Sequence, residues 1–329
     1  MRYTPSEFPL PSGLTLRGFS YIPANEMTAK SNSVVLCLHG WLDNAASFLP
    51  LWDDLFVASQ KTQIKNRGTK TTTETELASQ ASHQATIAER NLDSYTWHSI
   101  DFPGHGLSEH RSSDAAYHHT DYIMDIAALI ETQGWENVIL VGHSMGGIVG
   151  ASVCALLPER IQRFISIEAV GPLVEDSTMT VQQMRRAFRS RIEQAQKTIK
   201  QPDSLSRVLS AKMHAGKLSE EHATMIMRRN LRETEGRYVW GTDPKLRTVS
   251  TFRMTVAQAK DIMQNIRCPI LFIKGDSGFV RISEQYAQRT KWLKTQHSLT
   301  TLPGNHYVHM QAPHQLLLAI QNFVTESLT

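Results

Sequence analysis

Apolar residues along this chain fall into two rhythms. Short runs at 34–38, 138–141, 164–167 and 269–273, apolar throughout but for Ser166, are bounded by glycine, proline or polar residues. Runs of that length without alternation predict strands buried on both faces. Between them, apolar positions recur every three or four residues, as with Tyr122, Ile126, Leu129 and Ile130, and again over 256–265, 283–293 and 316–326. That spacing predicts amphipathic helices. Weaker strand patterns at 12–22, 95–100 and 298–302 complete the series. Strands that alternate with helices predict a mostly parallel central sheet with helices on both faces, an α/β fold whose ligands bind at the carboxyl ends of the strands.

Two stretches break the rhythm. Residues 59–92 are polar and rich in Thr, Gln and Ala, with no apolar period, which predicts a surface insertion, loosely helical at most over 77–90. After Pro172 the composition shifts to Met, Arg and Gln. There Val181, Met184, Phe188, Ile192, Ala195 and Ile199 form one apolar helical stripe, with Arg185, Arg186, Arg189 and Arg191 mostly off it as a solvated basic face. Further helices are predicted over 205–214 and 219–230, and a strand or loop returning to the core over 238–244. The expected organisation is a core of residues 1–172 and 247–329, with 173–246 inserted as a helical cap.

Composition narrows the function classes. The 329 residues are 41% hydrophobic and 20% charged, with a formal net charge of +3. A charge so mild for this length argues against a nucleic-acid binder. The three cysteines, Cys37, Cys154 and Cys268, sit in apolar segments without metal-ligand spacing, which points to reduced thiols inside the cell. Residues 1–5 carry no apolar signal region and no apolar run is long enough to span a membrane. A cytoplasmic protein without membrane insertion is expected. His110, His118 and His119 lack paired cysteine or acidic partners, so no metal site is expected.

The chemistry lies in the turns after the strands. Gly142-His143-Ser144-Met145-Gly146 follows an apolar strand and precedes a small-residue helix. Glycines flanking a strained turn hold a serine hydroxyl out at the sheet edge, the pattern of a nucleophile elbow. A serine nucleophile needs a base, and the base an orienting carboxylate. His306, in the Pro303-Gly304-Asn305-His306 turn after the last strand, is the expected base in preference to His309. Two residues compete for the acid. Asp276 follows the 269–273 strand, but the usual Gly-x-x-Asp spacing counted from Gly275 falls on Gly278. Glu168 ends the strand after the nucleophile's helix and is the favoured candidate. The oxyanion donors are expected to be the backbone N–H groups of Met145 and of Trp41, in the His39-Gly40-Trp41 turn. Gly40 lets the backbone approach the substrate, Asp43 is a candidate for ordering this loop, and Trp240 is a candidate pocket residue.

Leu38-His39-Gly40-Trp41, Asp101-Phe102-Pro103-Gly104-His105-Gly106, the serine pentapeptide and Pro303-Gly304-Asn305-His306 together resemble the α/β-hydrolases. Residues 39–48 are similar to the serine hydrolase-like branch, and Ile167-Glu168-Ala169-Val170-Gly171-Pro172 and Thr242-Asp243-Pro244-Lys245-Leu246-Arg247 to its bacterial members. The resemblance implies a lid of helices between the strands ending at Glu168 and starting at Pro269, and it supports Glu168 as the acid. Haloalkane dehalogenases and epoxide hydrolases share the fold but carry aspartate at the elbow, where this chain has Ser144. The expected function is a carboxylesterase working through a Ser144–Glu168–His306 triad and an acyl-enzyme on a small to medium ester, without cofactor. Cleavage of a C–C, thioester or amide bond, or a non-catalytic ligand receptor, are the alternatives.

Overall fold

The computed structural model describes residues 3–22, 32–57 and 92–325. The expected insertion at 59–92 lies outside the described residues except for Leu92, which is buried. The predicted strands assemble into one eight-stranded sheet. Its members in chain order are β1 (Thr4–Pro9), β2 (Thr15–Tyr21), β3 (Ser33–Leu38), β4 (Thr96–Ile100), β5 (Asn137–His143), β6 (Ile161–Ile167), β9 (Ile270–Gly275) and β10 (His297–Leu302), and a separate hairpin pairs β7 (Leu231–Thr234) with β8 (Arg237–Trp240). The spatial order is β1-β2-β4-β3-β5-β6-β9-β10. β1, which the hydrophobic pattern did not reveal, pairs antiparallel with β2, and β2 antiparallel with β4; every pairing from β4 through β10 is parallel.

The unbroken apolar runs are explained by two cores, one on each face. Val34, Leu36 and Leu38 of β3 join Val138 and Leu140 of β5 in one cluster, packed by Tyr122, Ile126 and Leu129 from the helix His119–Thr132 and Val149 and Val153 from the helix Met145–Leu156. The alternate residues Val35, Cys37, Ile139 and Val141 point to the other face, against Phe48, Trp52, Leu316 and Ile320. Successive side chains of a strand take opposite faces, so a strand covered on both sides is apolar at nearly every position. Cys37, Cys154 and Cys268 are all buried and in no disulfide.

From β3 the chain crosses to β4 on one side, and from β5 to β6 on the other. The loops leaving β3 and β5 therefore diverge, which opens a crevice at the carboxyl ends of these two strands. All the predicted chemistry lies at that edge.

Between β6 and β9 the chain forms the helices Thr180–Gln196, Leu205–Gly216 and Glu220–Asn230, followed by the β7–β8 hairpin. Glu235 and Gly236 both take positive φ, 51° and 71°, as a tight two-residue hairpin turn requires. This corrects the reading of 238–244 as a strand or loop returning to the core: its strand pairs within the insertion. Leu209, Leu218, Ala223, Ile226, Met227 and Leu231 of the insertion form a small apolar cluster completed by Met310 from the segment after β10. Val174 bridges Met254 where the chain leaves and returns.

Buried polar contacts fasten this insertion to the sheet edge. Arg229 grips the fully buried Asp101 at the end of β4, with Nε 2.8 and 3.0 Å from its two carboxylate oxygens. Asp101 also accepts from the backbone N–H groups of Ala45 and Leu107. Asn44 donates to Ile226 O and Asn230 Oδ1, and Asn230 donates in turn to Leu42 O. Lys212 Nζ lies 2.6 Å from Asp43 Oδ1 and 2.9 Å from the Tyr307 hydroxyl. Burial works against the Lys212 charge, but the Asp43 carboxylate beside it more than compensates and holds its pKa above the ordinary lysine value. Taking one partner out of such a buried pair strands the other charge away from water. Lys212→Met should therefore lower unfolding stability by about 3–5 kcal/mol, and adding Asp43→Leu should recover most of that loss. Urea unfolding of the single and double variants tests this; a neutral single variant would show that the pair holds nothing.

Several histidines are buried as neutral rings. Burial holds His39 and His98 near a pKa of about 4 and His105 near about 3, where an exposed histidine titrates near 6.5. Below pH 6.5 the unfolded chain thus binds protons that the folded chain refuses, and stability falls as pH falls toward 4. Asp125 opposes them. Burial, only partly offset by its Arg111 partner, raises its pKa to about 6, so its contribution is lost as pH rises from about 4 to 6. Three histidines outweigh one aspartate. The urea midpoint should drop steadily between neutral pH and pH 4; a midpoint that rises over this range would refute the balance.

Candidate active site

The turn after β5 departs from ordinary backbone geometry at one residue. Ser144 has φ 51° and ψ −111°, outside the regions open to most L-residues. Its N–H donates to Ile167 O at 2.8 Å, and its carbonyl accepts from Ile148 N in the first turn of the helix Met145–Leu156. The flanking glycines are obligatory for packing reasons. A Cβ on Gly142 would lie 2.4 Å from Gly146 O, and one on Gly146 would lie 2.0 Å from Leu38 O of β3. Strand, turn and helix pass so closely that only hydrogen fits, and the serine is pushed to the apex.

One strand along, β6 ends at Ile167 and Glu168 follows with φ 54°. Its carboxylate has no exposed surface and three donors. Oε1 accepts from Gly275 N–H at 2.8 Å; Oε2 accepts from Phe279 N–H at 3.1 Å and from His306 Nδ1 at 3.2 Å. The odd spacing after β9 now has a physical explanation. A Cβ on Gly278 would stand 2.2 Å from Glu168 Oε1. The place where Gly-x-x-Asp would put an acid is filled by the Glu168 carboxylate arriving from the neighbouring strand. Asp276 is exposed; its Oδ1 accepts from Gly304 N–H at 3.0 Å, and that bond lowers its pKa. It braces the turn that carries His306, whereas the carboxylate bonded to the imidazole is that of Glu168.

His306 sits beneath the ring of Phe279, at 4.1 Å between centroids, and 4.8 Å from the ring of His143. His143 Nε2 donates to the His306 carbonyl at 2.8 Å, so the residue preceding the serine also holds the histidine's backbone. Burial and the adjacent His306 drive the His143 pKa far down, and its ring is neutral. His309 lies fully buried against His143, 4.0 Å between rings, with neither ring nitrogen hydrogen-bonded to a described residue. The two histidines of the 304–309 segment thus separate cleanly: His306 meets the carboxylate, and His309 packs behind it. Among the described residues nothing hydrogen-bonds the Ser144 hydroxyl; serine and imidazole lie at the same sheet edge, and His143, the residue just before the serine, touches both the backbone and the ring of His306.

The loop after β3 faces them across the crevice. His39 Nδ1 donates to Gly40 O at 2.7 Å and its Nε2 accepts from Phe102 N–H at 3.0 Å, which fixes its tautomer and joins the ends of β3 and β4. Gly40 is closely surrounded, since a Cβ there would lie 3.0 Å from both Asp43 Oδ2 and His143 Nδ1. The side chain of Trp41 is 51% exposed and donates its indole N–H to Leu246 O. Met145 opens its helix, so its backbone N–H is among those without an intrahelical acceptor. Asp43 is not solvated. It is buried and reaches Lys212 and Tyr307, whose hydroxyl lies 3.2 Å from Asp43 Oδ1; burial and that carboxylate push the Tyr307 pKa up to about 12. Lys212 was not legible as part of this edge, because its partners lie 169 and 95 residues away. Trp240 bonds Lys200 O through its indole and packs against the apolar cluster that Leu209, Ile226 and Met227 form with Met310.

Comparison with known proteins agrees with this architecture. The family model described as alpha/beta hydrolase fold matches residues 33–313. A serine hydrolase-like protein of Danio rerio is 24% identical, covering 98% of this chain and 90% of that protein. Serine hydrolase-like protein 2 of Homo sapiens is 25% identical, covering 93% and 91%. Among solved structures, a hypothetical protein from Pseudomonas aeruginosa PAO1 superposes with a TM-score of 0.76 at 25% identity, covering 99% of this chain and 100% of that one. A thioesterase domain from the curacin biosynthetic pathway superposes at 0.73 with 21% identity, covering 97% and 99%, a likeness of fold alone. The chain belongs to the α/β-hydrolase family, and the relatives it is similar to are those of the serine hydrolase-like branch.

Proposed function

We propose that the protein is a serine hydrolase acting on carboxylic esters, with Ser144 as nucleophile, His306 as base and Glu168 as the orienting acid. The observation that carries this reading is the 3.2 Å contact from His306 Nδ1 to a buried carboxylate, made at the sheet edge where the strained elbow holds Ser144. With Nδ1–H committed to Glu168, Nε2 is left as the basic nitrogen, the tautomer a serine nucleophile requires. Ser144 Oγ attacks the ester carbonyl while His306 takes its proton, and Glu168 stabilises the imidazolium. The N–H groups of Met145 and Trp41 receive the oxyanion. The imidazolium protonates the departing alkoxide, and an acyl group remains on Ser144. A water then gives a proton to His306 as it attacks the acyl carbon, and the imidazolium returns that proton to Ser144 Oγ as the acyl–oxygen bond breaks and the acid leaves. No cofactor enters this scheme.

In the same reading the helices between β6 and β9 act as a cap that sets substrate size, and Gly40 keeps the oxyanion loop close to His143. One curated relative, 25% identical over 71% of this chain, is named 2-(acetamidomethylene)succinate hydrolase. Amides and thioesters therefore belong in the substrate panel beside esters of graded acyl length.

A fluorophosphonate probe should label the folded protein at Ser144, and Ser144→Ala should abolish labelling; an unlabelled wild-type protein would sink the enzyme reading. Glu168→Gln should cut ester turnover by about 10²–10⁴-fold, whereas Asp276→Asn should leave it within a few-fold. The reverse result would reassign the acid. Gly278→Asp in the wild-type background should be destabilising, because its Cβ would overlap the Glu168 carboxylate. Combined with Glu168→Ala, the same substitution should restore part of the lost turnover by returning a carboxylate to that space.

A further inference from the structure

The helix Thr180–Gln196 is amphipathic in the opposite sense to a core-packed helix. Its inward positions are polar or small: Gln183 and Ala187 are buried, Gln183 Nε2 donates to Ser250 O at 2.6 Å, and Ser190 Oγ accepts from Val249 N–H at 2.8 Å. Its apolar stripe looks outward, with Val181 59%, Met184 42%, Phe188 67% and Ile192 45% exposed. The sequence predicted this stripe; the structure turns it to solvent. At 100° per residue the four side chains fall within about 80° of one another, a continuous seam rather than scattered surface residues. Arg185 and Arg189 border the seam on one side and Arg191 on the other, all exposed. The helix's one acidic residue, Glu193, lies off the seam. Beyond the helix end, Lys197, Ile199 and Lys200 are also exposed.

We propose that this helix is a docking surface for an anionic lipid bilayer. An apolar stripe lined by arginines lies in the plane of a membrane interface, its apolar side chains among the acyl chains and its guanidinium groups reaching back to the phosphates. Charge complementarity selects this occupant. A second copy of the chain packed face to face would set arginines against arginines, and a neutral partner would leave them unanswered. The contact is peripheral, and no helix among the described residues is long and apolar enough to cross a membrane. Docking would also orient the crevice, because the helix packs on the segment that continues from Leu246, and Leu246 O receives the Trp41 indole. The proposal stands apart from the reading of Ser144, since its test needs no turnover.

The test is cosedimentation of the intact protein with vesicles of phosphatidylcholine alone and of phosphatidylcholine mixed with phosphatidylglycerol. Binding should be confined to the anionic vesicles and should weaken as salt is raised. Phe188→Asp, and separately the pair Arg185→Glu with Arg189→Glu, should each lower the bound fraction about tenfold or more. Each should leave the thermal midpoint unchanged, because these side chains touch solvent. Absence of binding by the intact protein, equal binding to both vesicle types, or binding unaffected by either variant would overturn the proposal. So would a dimer in size-exclusion chromatography that Phe188→Asp splits while vesicle binding stays as it was.

Discussion

A carboxylate buried at the junction of three strand ends organises the edge of this sheet. Glu168 has no exposed side-chain surface, and a buried charge persists only where donors replace its water. Those donors come from the end of β9, from the turn that follows it and from the segment after β10. Each is held where the charge needs it. Gly278 must lack a side chain because the carboxylate occupies the space one would fill. Asp276 is free to brace the Gly304 turn because the charge is supplied from β6. The position of the His306 imidazole is thus set by electrostatic compensation more than by its own loop.

The parallel sheet was legible because its strands are covered on both faces and therefore read as unbroken apolar runs. β1 was not, since Thr4–Pro9 lies at an edge with one buried position among exposed ones. At the site, the serine elbow and the His306 turn were readable from local motifs, because close backbone approach demands glycine at fixed spacing. Glu168 was readable only as one of two candidate carboxylates for the contact with His306. What separates it from Asp276 is a contact between residues 138 positions apart, which no local pattern encodes. The roles of Lys212, Arg229 and Asn230 were hidden for the same reason: a lysine or arginine on a helix looks solvated until the fold brings a buried acid beside it.

The helix Thr180–Gln196 shows a different limit. Periodicity reveals that a helix has an apolar face, but not what that face meets. Here the inward contacts are hydrogen bonds from Gln183 and Ser190 to the 249–250 backbone, so the helix is seated by its polar side. The clusters that do bury apolar surface in the insertion belong to the next two helices.

The buried pairs between insertion and sheet edge also bear on how such a protein can diversify. Swapping the segment between β6 and β9 for that of another hydrolase would not be a self-contained exchange. A transplanted segment lacking counterparts of Lys212, Arg229 and Asn230 would leave Asp43, Asp101 and Asn44 in the recipient without their bonds to the insertion. Those three residues lie beside the Gly40–Trp41 turn and at the end of β4. The inserted helices and the loops beneath them therefore depend on one another for the partners of their buried polar groups.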